Sequence, residues 1–331
     1  MVPSRDAVLV TGGAGYIGSH VCKALDRAGF LPVAYDDLSR GHARAVRWGP
    51  LERGGIADPK RLGEVLRRHR PVAVVHLAGF TYVGESVQRP GLYYRNNLSG
   101  TLALLDVLRQ EGAGAFVFSS SAAVYGHPRQ IPIPESHPVE PINPYGFTKA
   151  AVERVLGDLH EAYGFASVSL RFFNAAGADP DGEIGEAHEP ETHLIPRLLM
   201  AARGELPEMA VFGGDYDTPD GTCIRDYIHV SDLADAHVLA LQALLDGAPV
   251  PAALNLGNGE GFSVREVIEA VGEVTGARLD PPVLPRRAGD PPRLVSDSRM
   301  AAEALGWRPR HPGLGEIVAT AWRWMNRPSR S

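Results

Sequence analysis

Cysteine is almost missing: Cys22 and Cys223 are the only two in 331 residues. That excludes a disulfide framework and makes a reducing cytoplasm the expected compartment. Lysine is nearly as scarce, with Lys23, Lys60 and Lys149 among 33 basic residues, the rest being Arg. Basic charge is also in deficit overall, at a net −6, so a basic stripe for nucleic acid is not expected. No apolar run approaches the roughly 20 residues of a membrane span, so no membrane partner is expected. The first residues, "MVPSRDAVLVTGG", lack the basic region and long apolar stretch of a signal peptide. What remains is an ordinary globular composition, 44% hydrophobic and 22% charged, at a length suited to one large domain or two smaller ones.

The first half alternates short apolar runs with longer helical patterns. "AVLVTG" (7–12), "LPVAYDD" (31–37), "VAVVHLAG" (72–79), "GAFVFSSS" (114–121) and "ASVSLRFFN" (166–174) read as strands. Their near-continuous apolar character implies burial on both faces, as in parallel sheets. Helical patterns lie at about 16–28, 59–69, 91–111 and 145–163. Such alternation implies an α/β fold, a doubly wound parallel sheet of the Rossmann type, over residues 1–175. Beyond it the rhythm breaks, and residues 176–331 read as a smaller α/β substrate lobe, with segments near 223–256 as candidates to return to the main sheet. Helical pieces are expected near 193–203, 231–246, 263–276 and 313–326, and short strands at 209–213, 223–228 and 253–256. The stiff Pro-rich stretch "HPRQIPIPESHPVEPINPYG" (127–146) is too long for a plain connector and is expected to lie over the site.

"VLVTGGAGYIGSH" (8–20) closes a strand and opens a helix, with glycines at Gly12, Gly15 and Gly18. The first permits a tight turn, the second lets backbone approach a pyrophosphate, and the third lets the helix pack on the strand. Helix N-terminal amides then face the phosphates. Eighteen residues past Gly18, at the end of the second strand, stand Asp36 and Asp37. An acid there accepts hydrogen bonds from ribose hydroxyls and repels a 2′-phosphate, which favours NAD over NADP, although Arg40 and Arg44 lie close in sequence.

"NPYGFTKAAVER" (143–154) puts Tyr145 and Lys149 on one helix face. With so few lysines, chance places only about 0.1 Tyr–Lys pair of this spacing in the chain. A cation about 4 Å from a phenol is worth roughly 4 kcal/mol at an effective dielectric near 20. That would lower the phenol's pKa by roughly three from its ordinary value near 10. Tyr145 is thus a candidate base and acid near neutral pH, with Ser121 placed to hydrogen-bond the same substrate oxygen.

Together the three glycines, Ser121 and Tyr145-x-x-x-Lys149 resemble the extended short-chain dehydrogenase/reductase family. The narrower motifs "TGGAGYIGSH", "HLAGFTYVGESV", "YYRNN", "FSSSAAVYG", "NPYGFTKAAVE", "LRFFNAAGA" and "RDYIHVSDLADAH" resemble its UDP-glucose 4-epimerase branch, along nearly the whole chain. The resemblance implies a bound NAD that takes a hydride from the sugar C4 while Tyr145 takes the 4-hydroxyl proton. The 4-keto sugar then turns and receives the hydride on its other face. It implies NAD contacts from Gly12, Gly15, Tyr16, Ile17, Gly18, Asp36, Asp37, Leu38, Ile56, Leu77, Ala78, Gly79, Asn96, Ser119, Tyr145, Lys149 and Phe172, with Ser120 and Ser121 near the nicotinamide. It implies UDP-sugar contacts from Ser121, Tyr145, Asn174, His193, Leu194, Val211, Phe212, Arg225, Arg287, Asp290 and Leu294. Two arginines suit a diphosphate.

Several positions depart from the family pattern. Gly55 replaces an Asp that reaches the adenine, and Thr81 replaces a Lys directed at NAD. Phe172 stands where some members have Tyr, and His193 where some have Asn. Leu294 stands where a bulky Tyr restricts the pocket, so UDP-N-acetylhexosamines are expected to fit. Ala122 and Ala123, just after the serine, provide no acid or base, which argues against a 4,6-dehydratase. A UDP-arabinose/UDP-xylose 4-epimerase uses the same catalytic set, and a non-catalytic NAD-binding sensor is the alternative from another class. His188 and His193 cannot share a helix face across Pro190, so no metal is expected. Apolar faces at 91–111 and 145–163, with the habit of related proteins, imply a homodimer through a four-helix interface.

Overall fold

The structure, a computed structural model, describes residues 5–112, 114–206, 209–287 and 290–327. The order begins β1 (Ala7–Thr11), α1 (Tyr16–Arg27), β2 (Leu31–Asp36), β3 (Leu51–Arg53), α2 (Pro59–His69), β4 (Ala73–His76), α3 (Val83–Gln88), α4 (Pro90–Tyr93), α5 (Gly100–Glu111) and β5 (Ala115–Ser119). It continues with α6 (Pro144–Tyr163), β6 (Ala166–Phe172), β7 (Asn174–Ala176), α7 (Leu194–Ala202), β8 (Val211–Phe212), β9 (Ile224–Arg225), β10 (Tyr227–His229), α8 (Val230–Leu245) and β11 (Ala253–Leu256). Last come β12 (Phe262–Ser263), α9 (Val264–Thr275), β13 (Val283–Leu284), β14 (Arg293–Leu294), α10 (Arg299–Leu305) and α11 (Leu314–Met325).

Seven strands form one parallel sheet in the order β11-β6-β5-β4-β1-β2-β3. Every residue of β1, β4 and β5 is buried, because helices cover both faces. Alternation along β1 sorts its side chains: Val8 and Val10 join the layer under α1 and α8, while Ala7 and Leu9 join the layer under α2, α5 and α6. The order reverses between β1 and β4, which opens a crevice beyond their carboxyl ends. A third apolar cluster ties α7, α9 and α11 through Ile195, Leu198, Val267, Val271, Ile317 and Val318. Short strands, β13 paired with β8 and a three-stranded sheet in the order β12-β9-β14, complete the region after β7.

Two expectations change. The single helix read over 91–111 is interrupted: between α4 and α5, residues Tyr94–Ser99 take the wider π pitch. There the Asn97 amide grips the backbone of Phe80, donating to its carbonyl and accepting from its N–H, both at 2.8 Å. Such bulges turn side chains out of register toward sites. Of the Pro-rich stretch 127–146, Tyr145 alone among the described residues reaches the crevice. Ile133 of that stretch is buried and bridges to Ser296, with backbone bonds to Val295 and Asp297.

β3, absent from the sequence reading, carries a buried charge. Glu52 accepts from Arg61 (2.5 Å), Arg68 (2.8 Å) and His69 (2.7 Å). Burial pushes its carboxyl up, but these three donors outweigh it and hold the pKa at about 2, against 4.5 ordinarily. A depressed carboxyl stabilises the fold fully above its unfolded pKa and loses that contribution as pH falls through its folded one. Glu52→Gln should therefore cost about 2 kcal/mol at pH 7. The gap from wild type, read from urea midpoints, should narrow below pH 4.5. A gap independent of pH would contradict the assignment.

Candidate active site

The glycine loop follows β1 into the crevice. Gly12 has φ +74°, and its N–H donates to the Tyr35 carbonyl at 2.8 Å. A Cβ at Gly12 would lie 2.7 Å from the Ala78 backbone nitrogen, and one at Gly18 would lie 2.0 Å from the Gly12 carbonyl oxygen. Gly15 differs: its Cβ would meet only that same oxygen, at 3.2 Å, and otherwise open space. Gly12 thus lets the loop pass close to the backbone after β4, Gly18 lets α1 close on the loop, and Gly15 leaves room for a ligand at the N-terminus of α1. Asp36 ends β2 with its carboxylate accepting from Ala14 N–H (3.0 Å) and Leu38 N–H (2.8 Å). Burial raises its pKa, and those two amides pull the other way. The acid therefore also fixes the loop's shape, a task the sequence reading did not give it.

Tyr145 and Lys149 sit at the start of α6, which Asn143 caps by accepting from Gly146 N–H (2.8 Å), with Pro144 as first helical residue. Both side chains are buried. Lys149 donates to the Ser119 carbonyl at 2.7 Å and lies 4.8 Å from the Phe118 ring centre and 5.9 Å from that of Tyr145. Burial lowers its pKa to about 8.

Burial also raises Tyr145, against the pull of a hydrogen bond with Ser121. This corrects the expected lowering by Lys149. In the protein alone desolvation wins, because the ammonium is turned onto the Ser119 carbonyl.

A cavity of about 490 Å³ joins these parts. Its wall includes Gly12, Gly15, Tyr16, Ile17, Gly18, Asp36, Asp37, Ile56, Leu77, Ala78, Gly79 and Asn96 from the predicted cofactor set. Ser119, Ser121, Tyr145, Lys149 and Phe172 are there too, and Asn174, His193 and Leu194 join from the predicted substrate set. The departures Gly55 and Thr81 also face it. Leu38 lies off the wall, holding φ +64° at the turn, and Ser120 donates instead to Glu153 (2.5 Å). A glycine cradle, a cavity of this size and an acid at the end of β2 fit a dinucleotide.

The remaining substrate candidates lie apart from that cavity. Arg287 and Asp290 line a second, open cleft together with His127, Tyr216 and Arg286. Arg225 donates to Asp290 (2.5 Å) and to the Ile224 and Pro291 carbonyls. Arg287 stacks 4.0 Å from the Phe212 ring centre, while Val211 pairs β8 with β13. Leu294, in β14, packs beside Val124, Tyr125, Ile133 and Phe173, and Phe173 in turn lines the first cavity.

The sequence reading missed Tyr82, Glu186 and His188, all on the cavity wall. It separated His188 from His193 for want of a common helix face, yet a loop brings their rings to 5.2 Å. Glu186 contacts both imidazoles and is held below the usual carboxylate range despite burial. His193, also opposed by burial, is held well above the usual imidazole range by Glu186 and Glu191. The run of acids and histidines in "GEAHEPETH" was the available signal.

Fold and site together define an NAD-binding enzyme of the short-chain dehydrogenase/reductase type. Residues 8–257 match the NAD dependent epimerase/dehydratase family. The UDP-glucose 4-epimerase of Rhizobium meliloti is 51% identical over 320 residues, 97% of each chain. A crystal structure of UDP-glucose 4-epimerase from Brucella ovis in complex with NAD superposes with a TM-score of 0.93, at 52% identity, covering 96% of this chain and 98% of that one. One from Bifidobacterium longum, in complex with NAD+ and UDP, gives 0.90 at 37% identity, covering 96% and 98%. The chain belongs to the NAD dependent epimerase/dehydratase family and, within it, to the UDP-glucose 4-epimerases.

Proposed function

We propose that this chain interconverts UDP-glucose and UDP-galactose by inverting C4, with Tyr145 as the acid and base. The observation that carries the reading is the convergence of Ser121, Tyr145 and Lys149 on the same cavity wall as the glycine loop. Bound NAD supplies a hydride acceptor that returns what it took. The protein's own residues do the rest. Ser121 shares the 4-oxygen with Tyr145 and aligns it. Tyr145 takes the 4-hydroxyl proton and gives it back after the 4-keto sugar has turned. Lys149, buried next to Ser119, holds the ribose side and keeps the phenol oriented.

Residues 1–175 hold the dinucleotide and 176–331 the UDP-sugar in this reading, with β11 contributing an edge to the main sheet. Asn174, His193 and Leu194 meet the nucleotide from the first cavity. Arg225 and Arg287 hold its diphosphate, with Asp290 bracing Arg225 and with Val211 and Phe212 also on the UDP portion. Leu294, shorter than Tyr and beside Phe173, leaves room for an N-acetyl group. Exposed Leu102 on α5 and Phe147 on α6 support pairing into a homodimer across these helices.

Purified protein given UDP-galactose should yield UDP-glucose without net reduction of NAD, and UDP-N-acetylgalactosamine should yield UDP-N-acetylglucosamine. No conversion with NAD added would favour a sensor. Faster turnover of UDP-arabinose would move the sugar assignment to a pentose.

A further inference from the structure

We propose that Glu186, His188, Glu191 and His193 form a site for one divalent transition-metal cation at the rim of the cofactor cavity. Each residue offers one ligand atom, and the four atoms lie within 4.8 Å of one another. His188 Nδ1 and His193 Nδ1 each lie 2.8 Å from Glu186 Oε1, and His193 Nδ1 lies 2.8 Å from Glu191 Oε1. His188 Nδ1 and Glu191 are 3.9 Å apart. Zinc–nitrogen and zinc–oxygen bonds near 2.1 Å place tetrahedral ligand atoms about 3.4 Å apart. The present spacings straddle that value, so small side-chain rotations suffice to admit an ion.

Hydrogen bonds already reach the group, His188 Nδ1 to Glu186 and the Thr192 and His193 N–H groups to Glu191, but the four ligand atoms are crowded. His193 Nδ1 carries at most one proton but faces two carboxylates at equal distance. Only its contact with Glu191 has hydrogen-bond geometry. Glu186 Oε1 likewise meets two imidazoles. The Glu186 and Glu191 side chains are 9% and 7% exposed, so two carboxylates share a space with little water. A dication neutralises both while leaving the histidines neutral, and it replaces every crowded N···O contact with a bond to the ion. Two imidazoles and two carboxylates suit Zn²⁺, Co²⁺ or Ni²⁺ better than the all-oxygen preference of Mg²⁺ or Ca²⁺.

The surroundings hold the four residues in place. Tyr16 and Tyr82 each lie with their ring centres 6.2 Å from that of His188, and Tyr82 donates to the Pro190 carbonyl. The Trp324 indole donates to the Glu186 carbonyl at 3.1 Å, and a ring nitrogen of His42 lies 2.7 Å from the Ala187 carbonyl. Upstream, Lys23 fills the acidic group Asp179, Asp181 and Glu183 with its own ammonium, which leaves that cluster no vacancy for an ion. The proposed ion would clamp the loop before α7 against the cavity rim.

The test uses the whole chain, treated with a chelator and then titrated with Co²⁺ and, separately, Zn²⁺. One Co²⁺ per chain is expected, with the visible bands of a four-coordinate site, displaced by one equivalent of Zn²⁺. His188→Ala should weaken binding by at least about 100-fold. Glu191→Gln is the second variant should the first not fold, and thermal melting checks folding of each. Absence of micromolar binding in the wild type, or equal binding in a folded variant, would overturn the proposal. Neither result depends on which sugar is epimerised.

Discussion

Tyr145→Phe will leave the protein folded and able to retain NAD, while conversion of UDP-galactose falls by about 10²–10⁴-fold, the usual contribution of a positioned acid–base group. The ring is buried at the start of α6, so Phe keeps its packing and removes only the hydroxyl. Tyr145 lines the cavity wall together with Ser121. Lys149 cannot substitute, because its ammonium is committed to the Ser119 carbonyl and lies 5.9 Å from the ring centre. Retained NAD, read from absorbance of the purified variant, separates lost chemistry from lost cofactor. A turnover within a few-fold of wild type would remove Tyr145 from the mechanism.

Gly18→Ala will fail at the step before. The added Cβ would lie 2.0 Å from the Gly12 carbonyl oxygen and 2.9 Å from Gly13 Cα, both backbone, so no side chain can swing aside. α1 must move away from the loop, at an overpacking cost of about 1–3 kcal/mol. The same movement displaces the amides at the helix N-terminus and the Ala14 N–H that Asp36 accepts. Purified variant should carry no NAD after gel filtration and should need at least about 100-fold more NAD for half-maximal activity than wild type, the scale of a misplaced site. Gly84→Ala, with nothing within 4 Å of its new methyl, is the control that should retain NAD. Equal retention by both variants would show that the close approach at Gly18 is dispensable.

The residues that both predictions use were legible because their signals are local. Three glycines at fixed spacing between an apolar run and a helical pattern mark a turn, and Tyr145 and Lys149 share a face on any helix. The parallel sheet was legible in the same way, from apolar runs whose two faces must both be covered. The break at Tyr94–Ser99 was not, because it depends on Asn97 reaching Phe80, seventeen residues away in the chain. β3 was hidden since its middle residue is a Glu, and only α2 supplies the three partners that make its burial tolerable.

Sequence by itself therefore determined the parallel sheet and the glycine cradle and singled out Ser121, Tyr145 and Lys149, because these rest on periodicity and on short-range geometry. Tertiary structure decided the electrostatics. Whether Lys149 lowers its neighbour or merely loses its own proton more easily depends on burial and on the direction of one ammonium, neither of which spacing records. It also decided that four residues of a Pro-containing loop converge on one point. Helical periodicity says nothing about a loop, whose path is set by what it packs against: here Tyr16, Tyr82, His42 and Trp324.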